Sequence, residues 1–259
     1  MIKRFDPEAM VGAPMLSLSE FPPAGPKACR HRGGGHCNEC KVRLVSVCAA
    51  LTSDELDDLE ALSQHVSLGP REALFSQEGR ADAVYNVTEG AIRLSRLLSD
   101  GRRHVMGFAL PGDFLGLSMP ERHSLTAEAL MPTEVCRFER RPFRGLVSDK
   151  PNLLDRLYER AGYELMLAEE QMILLSRRTA EEKVACFLVG LRRRYARIGR
   201  ISVTLELPMG RQDIADHLGL TIETVSRMLT HLDRARLILI VPGGVRLLDA
   251  DRLERLAGI

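Results

Sequence analysis

The chain has 259 residues, of which 45% are hydrophobic and 27% are charged, and its formal net charge is +1. These values are typical of a globular protein with one large domain or two ordinary ones, and no apolar run has the length needed to cross a bilayer. The first 27 residues lack an apolar block, so they do not predict a secretory signal. Six cysteines without such a signal favour a cytoplasmic location and metal ligation over disulfides.

Charge is distributed unevenly along the chain. From Ser176 to the C-terminus there are 15 Lys and Arg against 10 Asp and Glu, whereas the remainder has 21 against 25. The basic C-terminal part is therefore where a polyanion such as nucleic acid is expected to bind.

The N-terminal residues divide into two parts. Residues 1–28 contain five prolines and little periodicity, which is typical of a flexible tail. Residues 29–50 form a cysteine-rich segment. After it, residues 51–64 predict a short helix, because Thr52 or Ser53 can cap it and acidic residues fill its first turn.

Residues 51–147 are predicted to form a domain built on an antiparallel, jelly-roll-like β-roll. Short apolar segments between residues 66 and 143 are separated by evenly spaced turn residues, which is typical of a sandwich or barrel. Four glycines lie eleven residues apart: Gly79, Gly90, Gly101 and Gly112. Asp100 followed by Gly101 is the best candidate for a hairpin turn.

Residues 148–178 predict one long helix. Its apolar residues recur over about three heptads, as in the seam of a coiled coil. The predicted dimerisation residues are Leu154, Leu157, Ala161, Leu165, Ala168, Glu169, Met172 and Leu175. A helix packed on its own domain would give the same stripe and is the more usual case, but the length of this helix and its position between two domains make the coiled coil of a homodimer an equal alternative. Glu169, beside the seam, is expected to tune the strength of pairing.

Residues 179–259 are predicted to form a winged helix-turn-helix domain, which makes the whole fold α+β. A helix over about 179–196 and a strand over 201–207 precede two helices, a hairpin and a final helix. In the pair of helices, Gly219 supplies the turn and Thr221 caps the second helix. The inward residues are Ile214, Ala215, Leu218, Val225, Leu229 and Leu232.

The outer face of the second helix predicts contact with double-stranded DNA. Arg can pair with guanine and Glu can accept from cytosine, and the N-terminal half of such a helix reaches base edges. The predicted DNA-binding residues are Arg211, Thr221, Glu223, Thr224, Ser226 and Arg227. Two packed helices with a glycine turn occur in many unrelated proteins, but the hairpin and the local positive charge favour DNA binding here.

Four cysteines are candidate metal ligands. Cys37, Cys40 and Cys48 have the spacing C-x2-C-x7-C, and Cys136 lies in a predicted strand far downstream. Four thiolates suit zinc or an iron–sulfur centre. A lone cysteine in a strand usually serves packing, but three N-terminal ligands need a fourth. The helix after residue 144 would bring Cys136 near them.

Two cysteines are left over. Cys29 is expected to be a free thiol, although an exchange with a ligand cysteine stays open. Cys186 lies in an apolar helix and is expected to be a core residue.

From Cys37 to the C-terminus, the chain resembles the FNR branch of the cyclic-AMP-receptor superfamily of transcription regulators. The most specific match is E-x-x-S-R, which runs from Glu223 to Arg227, and residues 111–117 and 172–188 also resemble the family. The spacing of seven residues between the second and third cysteines departs from the best-known pattern of five but occurs in other members.

The resemblance implies an oxygen-responsive transcription activator. It implies that the four candidate cysteines bind an oxygen-labile [4Fe–4S] cluster, with residues 29–50 as the cluster-binding segment and residues 51–147 as the sensory β-roll domain. The cluster would control dimerisation and binding to palindromes of the TTGAT-N4-ATCAA type. RNA polymerase is a further expected partner, whereas no membrane and no small-molecule substrate other than oxygen is expected.

Other functions fit the sequence less well. No His pair at i, i+4, no catalytic triad and no phosphate-binding loop is present, so no enzyme is predicted. A cyclic-nucleotide site would need an Arg-Ser or Arg-Thr pair, which residues 112–128 lack. A structural zinc or a redox-thiol switch in the same fold is the main alternative, although structural zinc usually takes two close pairs of cysteines.

Overall fold

The structure, a computed structural model, describes residues 37, 40–117 and 121–258. The predicted tail over residues 1–28 lies outside the described residues, as does Cys29. The described chain folds into a β-roll, a long helix and a winged helix-turn-helix domain, so the predicted α+β architecture is confirmed. Within the described ranges, no helix is long and apolar enough to span a bilayer.

Two 3-10 turns, Arg43–Val45 and Val47–Ala50, lead into helix α1 (Ser53–Ala61). The Thr52 hydroxyl accepts the Glu55 N–H at 3.4 Å, and the Glu55 carboxylate accepts the Thr52 N–H at 3.0 Å. This reciprocal cap gives partners to two backbone N–H groups. One of them, the Glu55 N–H, lies in the first turn of the helix and has no partner within the helix. The predicted helix and one of its two predicted caps are confirmed.

In the residues that the structure describes, the roll contains eight antiparallel strands: β1 (Ser63–Leu68), β2 (Ala73–Phe75), β3 (Ala83–Glu89), β4 (Ile92–Leu97), β5 (Arg103–Ala109), β6 (Phe114–Leu115), β7 (Thr126–Ala129) and β8 (Thr133–Glu139). They pair in two four-stranded sheets with the orders β1-β8-β3-β6 and β2-β7-β4-β5. At the predicted hairpin, the Leu98 N–H donates to Arg102 O at 2.8 Å. Gly101 has a φ of +81° there, which a residue with a side chain rarely adopts.

Three helices follow the roll: α2 (Arg140–Asp149), α3 (Pro151–Arg177) and α4 (Ala180–Arg197). Pro151 opens α3, where the N–H that proline lacks would have no partner within the helix. With 27 residues, α3 is about 40 Å long. Thr179 and Glu182 form a reciprocal cap on α4. The predicted long helix and the helix after it are therefore confirmed, although residues 148 and 149 of the predicted long helix belong to α2.

The C-terminal domain contains β9 (Thr204–Glu206), α5 (Arg211–Leu218), α6 (Ile222–Arg234), β10 (Ile238–Val241), β11 (Gly244–Leu247) and α7 (Ala250–Leu256). Its sheet has the order β10-β11-β9, and a Cβ on Gly244 would lie 2.1 Å from Leu205 O. Only glycine therefore allows β11 to approach β9. The predicted strand over 201–207 is too long: Ile201 is 84% exposed, and β9 comprises only residues 204–206.

The C-terminal domain packs against the roll of the same chain. Arg93 and Arg103 of the roll bind Asp213 of α5 at 2.6 and 2.9 Å, and Arg103 also binds Asp216 at 2.8 Å. Asp213 accepts the Gly210 N–H at 3.2 Å as well. One carboxylate thus caps α5 and joins it to the roll, which fixes the orientation of the helix pair.

Candidate DNA-binding and cysteine sites

Helices α5 and α6 have the geometry of a helix-turn-helix. Gly219 ends α5 in the left-handed conformation, with a φ of +62°, and its N–H donates to Ala215 O. Thr221 Oγ1 then accepts the Thr224 N–H at 3.2 Å and caps α6. All six predicted inward residues are buried. The predicted turn, cap and buried face are confirmed.

The outer face of α6 exposes the two charges predicted to recognise bases. Glu223 and Arg227 lie about one turn apart and are both exposed. Hydrogen bonds to its own backbone N–H and to the Thr221 hydroxyl lower the pKa of the Glu223 carboxyl, so Glu223 is a charged acceptor. Arg227 Nη2 donates to Thr224 Oγ1 at 3.3 Å. The other N–H groups of its guanidinium can still donate to DNA. The face thus offers an acceptor and a donor of the kind that base recognition needs.

Arg211, at the start of α5, joins the same surface. Its Nη1 donates to Ser226 Oγ at 3.2 Å, which holds both side chains beside the N-terminal half of α6. Strands β10 and β11 turn through Pro242 and Gly243, whose φ is +73°, and form the predicted wing. The predicted DNA-binding residues therefore share one accessible surface, whereas their individual contacts with DNA stay predictions.

Most of the predicted dimerisation stripe on α3 is exposed in a single chain. Its exposed members are Leu154, Ala161, Leu165, Ala168, Glu169 and Met172. Two predicted members are corrected. Leu157 is only 8% exposed, because it packs in an apolar cluster of its own chain, and Leu175 is half-buried near Gly219 of the helix-turn-helix.

Tyr158, and not Leu157, belongs to the exposed stripe. It is 72% exposed. With Tyr158 included, residues 154, 158, 161, 165, 168 and 172 alternate in steps of four and three, which is the spacing of a heptad seam. This strict alternation is the sequence signal that would have selected Tyr158.

The four predicted ligand cysteines lie in one region. Cys37 and Cys40 are one turn apart, and the Cys40 N–H donates to Cys37 O at 3.3 Å. Cys48 lies in the second 3-10 turn, where its N–H donates to Ser46 Oγ at 3.2 Å. Cys136 lies in β8, in the same apolar cluster as Cys37 and Cys48. The distant cysteine meets the others because the segment before α1 packs against the sheet that contains β8.

The four thiols lie close enough to affect one another. Burial, followed by the charges of Glu60, Cys48 and Cys40, raises the pKa of Cys37 to about 12. Burial also raises the pKa of Cys136, and Cys40, Cys37 and Cys48 add to this effect. Burial raises the pKa of Cys48 as well, so Cys37, Cys48 and Cys136 resist ionisation without a nearby cation, which a bound metal centre would supply.

Two polar side chains border the cysteines. Glu60 Oε2 accepts the Cys37 N–H at 2.9 Å, and His65 Nδ1 lies 3.8 Å from Cys136 Sγ. They were not predicted, because 23 and 71 residues separate them from the cysteines they contact. Among the described residues, no three His, Cys, Asp or Glu side chains are placed to hold a single metal ion.

Cys186 is separate from this group. It is half-buried in α4 and packs against the core of the C-terminal domain, and its Sγ donates to Ala257 O at 3.2 Å. Its predicted role as a packing residue is confirmed.

Comparison with known proteins matches both parts of the chain. Residues 65–150 match the family described as cyclic nucleotide-binding domain, and residues 182–256 match the Crp-like helix-turn-helix domain. The transcriptional activatory protein AadR of Rhodopseudomonas palustris is 53% identical over 84% of this chain and 91% of its own length. The chain belongs to the CRP/FNR superfamily.

Further comparisons agree with this assignment. The nitrogen fixation regulation protein FixK of Bradyrhizobium diazoefficiens is 48% identical over 86% of this chain and 94% of its own. The structure of FixK2 from Bradyrhizobium japonicum has a TM-score of 0.70 and 37% identity, over 75% of this chain and 96% of that chain. This CRP/FNR protein is a DNA-binding transcriptional activator and, as the sequence predicts, not an enzyme.

Arg227→Ala is expected to weaken DNA binding by about 1–3 kcal/mol per half-site and to relax the preference at one guanine. The reason is that its guanidinium can pair with guanine O6 and N7, which no other base presents together. Titration of duplexes substituted at each position measures the effect. Arg234→Ala, which removes the same charge from the other end of α6, is the control and should change all affinities slightly and evenly. If Arg227→Ala lowered the affinity for every duplex equally, Arg227 would contact a phosphate and not a base.

Proposed function

We propose that this CRP/FNR activator is a homodimer that responds to oxygen through a [4Fe–4S] cluster held by the four predicted ligand cysteines. The observation that carries the proposal is a shared apolar cluster. Cys48 and Cys136 pack in the same cluster as Leu153 and Leu157 of α3. A change at the cysteines therefore reaches the helix that carries the dimerisation stripe.

The donor set supports a cluster. A [4Fe–4S] centre takes four thiolates, each on a different iron, so its ligands stand farther apart than the four ligands of one zinc ion. Cys37, Cys48 and Cys136 line one apolar cluster, and Cys40 lies near enough to raise the pKa of Cys136. When bound, the cluster supplies the oxygen-labile centre.

Packing would couple this site to self-association. The 3-10 turn Val47–Ala50 contacts α3, and Leu153 and Leu157 anchor the first two turns of that helix. While the cysteine segment is held in place, Leu154 and Tyr158 face a second copy at a fixed angle. Release of the segment would loosen the start of α3 and weaken pairing. Because two half-site contacts act together, DNA occupancy then falls steeply.

The proposed dimer places two α6 helices about one turn of DNA apart, where they read palindromes of the TTGAT-N4-ATCAA type. RNA polymerase is the proposed partner in activation. The relatives FnrL of Cereibacter sphaeroides and Anr of Pseudomonas protegens are named transcriptional activator proteins, which supports this part of the proposal. The proposed location is the cytoplasm, because the chromosome lies there.

Each of four substitutions is expected to abolish assembly of the cluster, because each thiolate holds a different iron: Cys37→Ser, Cys40→Ser, Cys48→Ser and Cys136→Ser. Cys186→Ser, in a separate part of the structure, is the matched control and should retain the full cluster. Iron and acid-labile sulfide contents of anaerobically purified protein measure the result. A full cluster in Cys136→Ser would assign the fourth ligand to another residue.

Zinc is the alternative that the close Cys37–Cys40 pair supports. Brown protein that bleaches in air supports the cluster, and colourless protein with stoichiometric zinc supports a structural zinc site. Metal-free protein whose DNA binding follows thiol oxidation supports a redox-thiol switch instead. Spectra and metal analysis of the same anaerobic preparation separate these outcomes.

A further inference from the structure

His65 and Cys136 face each other across the antiparallel strands β1 and β8. Pairing of these strands is continuous from Ser63 opposite Phe138 to Leu68 opposite Thr133. Directly opposed residues project to the same face of a sheet. The backbone therefore fixes the approach of the imidazole to the thiol, and Nδ1 lies 3.8 Å from Sγ.

The surroundings of Cys136 disfavour a negative sulfur. Its side chain is buried in an apolar cluster that includes Phe114 and Phe138. A hydrogen bond to the charged form acts in the opposite direction, and the His65 ring nitrogen is placed to donate one.

We propose that His65 is a positioning residue of the metal centre, which donates its Nδ1–H to Cys136 Sγ when that sulfur is a ligand thiolate. A ligand thiolate carries no proton, so the hydrogen of this contact must come from the ring. The inference rests on the proposed cluster. Groups that hydrogen-bond to metal ligands orient them and change metal retention by about 10–100-fold. Hydrogen bonds to the sulfurs also tune the electronic state of an iron–sulfur cluster.

The test compares His65→Phe, which keeps a ring of similar size without the donor, with His65→Gln, which keeps an N–H donor. His104→Phe, in β5 of the other sheet, is the matched control. Two quantities are measured on anaerobically purified full-length protein. The first is the rate of iron transfer to a ferrous chelator without oxygen, and the second is the Fe–S(Cys) stretching frequency from resonance Raman spectra.

His65→Phe is expected to release iron about tenfold faster than the wild type, with a shifted Fe–S(Cys) frequency. His65→Gln should lie nearer the wild type, and His104→Phe should match it. If the wild type holds the cluster and His65→Phe leaves the iron-release rate and the Fe–S(Cys) frequency unchanged, the role of His65 is overturned but the proposed function is not. If all three variants release iron equally fast, the loss is general and the role is also overturned. A wild type without iron overturns the proposed function and this role together.

Discussion

Replacing Asp113 with alanine is expected to lower the free energy of unfolding by about 3–5 kcal/mol, because it breaks a buried ion network from one side. The Asp113 carboxylate binds Arg160 of α3 and Arg194 of α4, and it accepts the Leu110 N–H at 2.9 Å. The Arg160 side chain is only 8% exposed. Without Asp113, Arg160 keeps Glu164 at 2.8 Å, but both arginines lose their shared partner.

Chemical denaturation of metal-free protein measures this loss. The matched control is Asp100→Ala, which breaks the ion pair with Arg102 at the tip of the β4–β5 hairpin. There the two side chains are 47% and 79% exposed, so solvent screens the pair and its loss should cost much less stability than the loss of Asp113. Equal losses for the two variants would mean that the Asp113 network is as weak as a surface pair.

The pH dependence of this stabilisation has a defined sign. Burial raises the pKa of Asp113, but the charges of Arg194 and Arg160 outweigh burial and hold the pKa below its usual value. Such a carboxylate stabilises the fold above its unfolded pKa of about 3.9, and its contribution is lost as the pH falls through the lower folded value. The stability difference between the wild type and Asp113→Asn should therefore be constant from about pH 5 to 7 and shrink below about pH 4.

The same turn connects the cysteine segment to both helices. Gly112, beside Asp113, has a φ of +91°, and a Cβ there would lie 2.9 Å from Val45 Cγ2. The chain between Cys40 and Cys48 therefore rests on the turn that holds the two arginines. A shift of that segment would therefore disturb the contacts of this turn with the roll, α3 and α4 together.

Local signals in the sequence predicted most of the fold. Gly90, Gly101 and Gly112 all have positive φ at turns between strands, which explains why their regular spacing marked the strand ends. Gly219 and Thr221 act within four residues of the groups they bond, so a short motif suffices to predict the turn and the cap of the helix-turn-helix.

Periodicity alone could not predict whether each apolar face of α3 packs against its own chain or against a second copy. Two apolar stripes run side by side at its start: Leu153 and Leu157 are buried in their own chain, whereas Leu154 and Tyr158 are exposed. A stripe assigns residues to a face, but only the tertiary structure shows whether the same chain already covers that face.

Charged contacts between distant residues left no signal at all. Asp113 is 47 residues from Arg160 and 81 residues from Arg194. The residue types of such a pair are common on protein surfaces, so neither spacing nor composition distinguishes a buried network from solvated charges.

Leu165→Glu is expected to weaken self-association by about 100-fold or more, because a two-fold seam would place two new carboxylates opposite each other. Leu165 is 61% exposed in a single chain, so the substitution leaves the core of each protomer intact. Sedimentation velocity over a range of concentrations measures the effect on anaerobically purified protein. DNA affinity should fall together with the dimer, while the iron content stays at the wild-type level.

Ile201→Glu is the matched control for this change, because it places the same charge on a large exposed apolar residue outside α3. It should leave the dimer intact. A dimeric Leu165→Glu protein would show that a different surface pairs the two copies, and dissociation of both variants would show a general effect of added negative charge. If only Leu165→Glu dissociates and it keeps its cluster, cluster assembly does not depend on self-association, as expected from the proposal that the cysteine site acts on pairing through its packing against α3.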